Sequence, residues 1–217
     1  MSLRISTSLK DRVTSAAKAV ESIADSMTIA MSGYAMAGYP KAIPEELVRR
    51  KNTGENLSIN LITGANVPWL DEFLGSSEII AGRAPMCASK ALSSQANAGK
   101  IRYVEQQMCK MPRLLRSGSF GEIDVLVVEA LEITEDGLVP TTSVGFTNYL
   151  LDAANEIIVE INRAQPEILF GLHDIYLPKA APNTEPIPLK NCRDRIGSTS
   201  IPVNPSKIKY IVETDKP

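Results

Sequence analysis

At 217 residues, 44% of them hydrophobic and 22% charged, the chain has the composition of a folded globular protein and not of a disordered one. Its 23 basic and 25 acidic residues are interspersed and leave a net charge of −2, which excludes nucleic acid as a partner. Three cysteines without CxxC spacing and a single histidine exclude a cysteine/histidine zinc cage, and no run of about 20 apolar residues is present to span a membrane.

The N-terminus, Met1-Ser2-Leu3-Arg4, leads into polar and charged residues instead of an apolar signal core. The expected compartment is therefore the cytoplasm, where Cys87, Cys109 and Cys192 stay reduced. Val13, Ala16, Ala17, Val20, Ile23 and Ala24 recur at helical spacing and predict an amphipathic helix over 7–26. Met27-Thr28-Ile29-Ala30-Met31, halted at Ser32-Gly33, predicts a buried strand. Further strand-like runs follow at Leu57–Thr63, Glu78–Ala81, Arg102–Glu105, Asp124–Ala130, Glu156–Asn162 and Lys207–Glu213. Residues 44–53, 66–74, 86–98 and 145–154 predict the intervening helices.

The runs at 124–130 and 156–160 are nearly continuous in β-branched residues, the pattern of strands covered on both faces. Strand–helix alternation predicts an α/β fold: an open, mostly parallel sheet with helices on both faces, in a single domain over 1–217. A chain of this length buries roughly 70% of its unfolded surface and needs no staples. Ligands of such sheets sit outside the carboxyl ends of the strands. Between 177 and 206, Pro178, Pro182, Pro186, Pro188, Pro202 and Pro205 predict an ordered, irregular excursion over the surface. Asp215-Lys216-Pro217, directly after the last strand, reads as a domain boundary.

Three glycine-bearing loops could carry chemistry. The first is Ser32-Gly33-Tyr34-Ala35-Met36-Ala37-Gly38-Tyr39-Pro40-Lys41, whose glycines permit close backbone approach. Pro40 and Pro44 suit the start of a helix whose free amides favour an anion. Neither GxGxxG nor a Walker A pattern occurs. The second, Leu61-Ile62-Thr63-Gly64-Ala65-Asn66-Val67-Pro68, offers Asn66 either as a helix cap or as a ligand to a carboxylate. In the third, Asp136-Gly137 reads as a tight hairpin turn and Ser143-Val144-Gly145 as a helix start. On pattern alone, each loop reads first as a turn without a ligand.

Other polar residues read as structural. Glu129 and Glu132 flank an apolar strand and could be a nucleophile or a base, but a carboxylate at a strand end more often caps or pairs with a neighbouring amide. His173 could be a base oriented by Asp174 but lacks a nucleophile in a recognised motif. Cys87, after Pro85-Met86 near a helix start, reads as a small buried residue. Trp69 and Phe73, four apart, read as helix packing.

Taken together and in order, these segments resemble the acetyl-CoA hydrolase/transferase family. Gly38-Tyr39-Pro40-Lys41 with Ile43-Pro44 is similar to its first glycine loop, and Leu61-Ile62-Thr63-Gly64-Ala65 to its second. The most distinctive match is Val128-Glu129-Ala130 through Ile133-Thr134-Glu135-Asp136-Gly137, then Val139-Pro140 and Ser143-Val144-Gly145. Gly171-Leu172-His173-Asp174-Ile175 and Val203-Asn204-Pro205-Ser206-Lys207-Ile208 complete it.

The resemblance implies the amino-terminal domain of the CoA-transferase fold. It implies a second domain whose glutamate attacks an acyl-CoA thioester, giving an acyl anhydride and then a glutamyl-CoA thioester. No catalytic residue falls in this chain, no cofactor is needed, and coenzyme A enters as substrate. The implied partners are an acyl-CoA, a small carboxylic acid, the carboxy-terminal domain and a second copy in a homodimer. The implied substrate-binding residues are Gly33, Ala37, Gly38, Tyr39, Pro40 and Lys41; Thr63, Gly64, Ala65 and Asn66; Arg83, Pro85, Met86 and Cys87; and Ser143, Val144 and Gly145. Met86 and Asn66 depart from the family's pattern near the acyl pocket, which leaves the acid open. A non-catalytic ligand-binding domain of the same fold is the alternative.

Overall fold

The computed structural model describes residues 4–64, 68–179 and 182–217. Its centre is a mixed sheet built on seven parallel strands. In spatial order these are β4 (Arg102–Tyr103), β3 (Ile80–Ala84), β2 (Ile59–Thr63), β1 (Thr28–Met31), β5 (Ile123–Ile133), β7 (Ala154–Asn162) and β9 (Ile208–Thr214). The long β5 outruns its parallel neighbours, and its carboxyl half pairs antiparallel with β6 (Gly137–Pro140), which in turn carries β8 (Ile201–Pro202).

Alternation along the strands divides the apolar side chains between two cores. Ile29, Met31, Ile59, Leu61, Val125 and Val127 point to one face, with α1 (Ala16–Ala19), α2 (Ala42–Asn52), α3 (Pro68–Ser76) and α4 (Lys90–Asn97) packed on it. Ala30, Ile62, Leu126, Val128, Ile157 and Val159 point to the other, with α5 (Met111–Arg116) and α6 (Thr147–Ala153). The expected class, an open mostly parallel sheet with helices on both faces, is the one observed. The two runs nearly continuous in β-branched residues form β5 and β7, because a strand covered twice needs to be apolar on both sides.

Some elements differ from expectation. The helix predicted over 7–26 is broken into a 3₁₀ turn at Thr7–Arg12, the single α turn α1 and another 3₁₀ turn at Val20–Ser22. Val13 is extended and bridges Ile211 of β9, the Thr14 amide donates to the Ile211 carbonyl, and Arg12 is held by the Ile208 carbonyl at 2.6 Å. Tertiary pairing has overridden a local periodicity. The helix expected from residue 86 starts at Lys90, capped by Ser89, whose side chain accepts from the Leu92 amide. The short α5 has Pro112 in its first turn, where the missing N–H costs nothing, so its proline reads as a breaker in sequence. Strands β6 and β8 were not expected; Asp136 and Gly137 lie at the hairpin between β5 and β6.

Candidate functional site

The loops that leave the carboxyl ends of β1 and β2 converge with the segment between β6 and α6. Gly33, Gly38 and Gly145 have φ of +118°, +69° and +52°, a region that L side chains rarely enter. Their packing is as demanding as their dihedrals. A Cβ on Gly145 would sit 3.0 Å from the Gly33 carbonyl oxygen, and one on Gly64 would fall closer still to the same atom. A Cβ on Gly38 would strike the Ser143 hydroxyl, and one on Gly33 would lie 2.9 Å from the Tyr39 Cβ. Ser143 Oγ also donates to the Ala37 carbonyl at 2.9 Å. Of the residues expected to bind substrate, Gly33, Ala37, Gly38, Gly64, Ser143 and Gly145 are therefore brought into mutual contact. Val144 packs on the core beside them.

The tip of the first loop faces outward. Tyr34 and Ala37 exchange backbone hydrogen bonds of 2.9 and 3.1 Å, with Ala35 between them at φ +54°. Tyr34 and Met36 are 45% and 75% exposed, so this turn offers apolar surface to whatever docks there. Tyr39 turns away, stacking on Trp69 at 5.6 Å, and Trp69 stacks on Phe73 at 5.0 Å. The Trp69–Phe73 packing expected from spacing is present.

Beneath the loops lies a buried polar layer. Glu129, on β5, is 1% exposed, and its carboxylate accepts from three side chains: the Lys41 ammonium, Thr141 Oγ1 at 2.6 Å and Asn162 Nδ2 at 2.7 Å. Lys41 Nζ also donates to the Tyr39 carbonyl at 3.1 Å and lies 4.7 Å from the centre of the Tyr39 ring. The Glu129 amide donates to Ser32 Oγ, which donates to the Gly38 carbonyl. Glu160, on β7, is fully buried and caps α2: the Lys41 amide donates at 2.7 Å, Ala42 at 3.0 Å and Ile43 at 3.2 Å. The anion expected at this helix start is the protein's own carboxylate. Burial pushes the Glu160 carboxyl up, against the pull of those three amides, and the nearby Glu129 adds to the rise.

The other expected residues are also engaged within the protein. Arg83 is 2% exposed, pairs with the fully buried Asp71 at 3.0 Å and donates to Thr63 Oγ1 at 2.7 Å. Asp71 accepts from the Ala88 amide, and the Pro85 carbonyl accepts from the Gln106 amide, so the loop of Pro85, Met86 and Cys87 is tied to α3 and to the segment that follows β4. Cys87 Sγ lies 3.5 Å from Ser93 Oγ. Pro40 is buried. Ala65 and Asn66 lie outside the described residues. His173 is structural: its Nε2 meets the Pro140 and Thr141 carbonyls at 3.1 and 2.8 Å, while Asp174 accepts from the Ile196 and Gly197 amides. Among the described residues no cluster of three metal-ligating side chains occurs, and no helix is long and apolar enough to cross a membrane. A separate cleft of about 270 Å³ lies over Asn60, Ile62, Gly82 and Ala84 on the sheet face; of the expected binding residues that are described, Arg83 lines it and Gly33, Gly38, Gly64 and Gly145 do not.

Sequence reasoning missed the buried layer. A glutamate inside a β-branched run was the available signal, since an acidic residue at an inward position requires a partner.

The family model described as "Acetyl-CoA hydrolase/transferase N-terminal domain" matches residues 4–217. Among curated proteins, the chain is 34% identical over 210 residues to succinyl-CoA:acetate CoA-transferase of Clostridium kluyveri, covering 95% of this chain and 39% of that protein. It is 36% identical over 200 residues to acetyl-CoA hydrolase of Neurospora crassa, covering 87% and 38% respectively. Among solved structures, RipA from Yersinia pestis superposes with a TM-score of 0.63 at 18% identity, over 95% of this chain and 43% of that one; at that identity the likeness speaks for the fold alone. The chain thus spans about two-fifths of the length of these curated relatives.

Proposed function

The chain belongs to the acetyl-CoA hydrolase/transferase family as its amino-terminal domain, and on that premise we propose that it forms one wall of a cytoplasmic acyl-CoA transferase or hydrolase site. The nucleophile comes from a second domain, in a glutamate carboxylate. That carboxylate attacks the thioester carbonyl and expels the CoA thiolate, leaving an acyl–glutamyl anhydride. The thiolate then attacks the glutamyl carbonyl and releases the first acid, leaving a glutamyl-CoA thioester. A second carboxylate attacks that thioester and expels the thiolate to give a new anhydride, and the thiolate attacks its acyl carbonyl to release the new acyl-CoA and the free glutamate; in a hydrolase, water cleaves the thioester to CoA and glutamate instead. Coenzyme A passes through as substrate, without a resident cofactor.

The observation that carries this reading is the convergence of Gly33, Gly38, Gly64 and Gly145 at the carboxyl ends of the parallel strands, the end at which such sheets bind ligands. Glycines there let the loop backbones close on one another and fix the rim at that end, and the exposed Tyr34–Met36 turn supplies an apolar edge for an acyl group. Substrate-binding roles for the 33–41, 63–66, 83–87 and 143–145 segments are part of this proposal, as is assembly into a homodimer of complete chains. A sugar-phosphate-binding module of the same fold would need a free anion cradle, and the amides of α2 are already engaged by Glu160.

The test joins the chain to whatever the gene encodes beyond Pro217 and measures CoA exchange between acyl-CoA and labelled carboxylates. Exchange by the joined polypeptide and none by residues 1–217 alone is the expected result. Robust exchange by residues 1–217 alone would overturn the divided site.

A further inference from the structure

We propose that Glu129 is a positioning residue: through Lys41 on one side and Thr141 on the other, it holds the two glycine loops in the one arrangement that can receive substrate. The inference deepens the function proposed above and rests on it. Glu129 makes no use of its charge in the chemistry written there, yet it is 1% exposed, and an ionised carboxylate is not carried into a core without a purpose or a set of partners. Its partners define the purpose.

One carboxylate oxygen takes the ammonium of Lys41, the last residue of the first loop; the other takes the hydroxyl of Thr141, two residues before Ser143. These two attachments lie on the two segments that meet at Gly38 and Ser143. The backbone of Glu129 makes a third attachment, its amide bonding Ser32 Oγ, and Ser32 bonds the Gly38 carbonyl at 2.8 Å. Both ends of the 33–41 loop and the start of the 141–145 segment are thereby referred to a single residue of the rigid central strand. Asn162, the fourth partner, passes the connection to the Lys216 carbonyl at 2.7 Å, past the end of β9. Lys41 Nζ is taken up by Glu129 and the Tyr39 carbonyl, so any part Lys41 plays in the substrate-binding role proposed for 33–41 falls to its backbone and not to its charge.

A merely structural ion pair and a positioning pair respond differently to removal of both charges. Lys41→Met strands a buried carboxylate. Lys41→Met combined with Glu129→Gln strands none, because the amide oxygen still accepts from Asn162 and the amide nitrogen donates to Thr141 Oγ1. The double variant should regain most of the melting temperature lost by Lys41→Met. Its loop, however, has lost the tether to Tyr39 and Glu129.

The experiment measures melting temperature, kcat, KM and hydrogen exchange at the Tyr34 and Ala37 amides in both variants of the joined polypeptide. Supporting the proposal, the double variant recovers stability while kcat stays at least about tenfold down with KM for acyl-CoA within about threefold, and both amides exchange faster than in the parent. Return of stability and kcat together would overturn it, as would an unchanged kcat in Lys41→Met. If the unmodified joined polypeptide transfers no CoA, the proposed function fails separately. Loop exchange then decides the inference by itself: faster exchange in the double variant upholds it, and parental exchange overturns it.

Discussion

The convergence of the glycine loops can be tested by one methyl group at Gly64. Its φ lies outside the left-handed region, so alanine meets no backbone penalty there, and the cost is steric. The added Cβ would fall inside 3.0 Å of the Gly33 carbonyl oxygen, a separation real Cβ atoms do not show. The obstacle is backbone, and it belongs to a loop pinned by the Ser32–Gly38 and Ser143–Ala37 hydrogen bonds. Relief requires the first loop to retreat by about 1 Å, which places Gly64→Ala at the upper end of overpacking costs, about 3 kcal/mol. In a chain of this size that is a fall of roughly 6–12 °C in melting temperature. Gly99→Ala supplies the control: its φ is +69° with nothing within 4 Å of the new Cβ, so it carries backbone strain alone, about 1 kcal/mol or roughly 2–4 °C. Thermal unfolding followed by circular dichroism reads both. A Gly64→Ala shift no larger than that of Gly99→Ala would refute the close approach of the two loops.

Other consequences can be read in the same protein. Asp71→Ala strands the buried Arg83 guanidinium and should cost about 3–5 kcal/mol in the urea-extrapolated stability, so an unmoved urea midpoint would contradict the buried pair. Glu160 has a folded-state pKa above its ordinary value, so its contribution to stability is full below the unfolded pKa and is lost as pH rises through the folded one. The melting-temperature gap between the parent and Glu160→Gln should therefore narrow as pH rises above the ordinary glutamate range, and a widening gap would reverse the assignment. Trp69 is the sole tryptophan and reports on the first loop through its stack on Tyr39, so Tyr39→Leu should shift its emission to longer wavelength. An unchanged spectrum would mean that the stack does not form in solution.

The sheet was legible where physical cause was local. Strands β5 and β7 are buried on both faces, and that condition writes itself into contiguous Val, Ile and Leu. The 7–26 segment was misread because the decisive partner of Val13 is Ile211, at the far end of the chain, and no periodicity records it. The glycines of the loops were legible as positions, since a positive φ or a missing Cβ leaves few alternatives to glycine. What they pack against was not. The buried layer was least legible of all: Lys41 and Glu129 are 88 residues apart, Lys41 and Glu160 119, and no local pattern records which of these charges meet.

That hidden layer bears on how labour is divided across the proposed site. Among the described residues beneath and beside the glycine loops, each charged side chain is answered from within: Lys41 by Glu129, Glu160 by the amides of α2, Arg83 by Asp71. A carboxylate already accepting three hydrogen bonds is a poor nucleophile, and a carboxylate spent on a helix terminus has no lone pair aimed at a ligand. Such a wall is suited to shape, with backbone groups and the exposed Tyr34–Met36 turn as its contact surface, and to holding that shape fixed. The glutamyl route proposed above needs a free carboxylate facing this surface. This placement of charge among the described residues supports the proposal that the reactive carboxylate comes from a second domain.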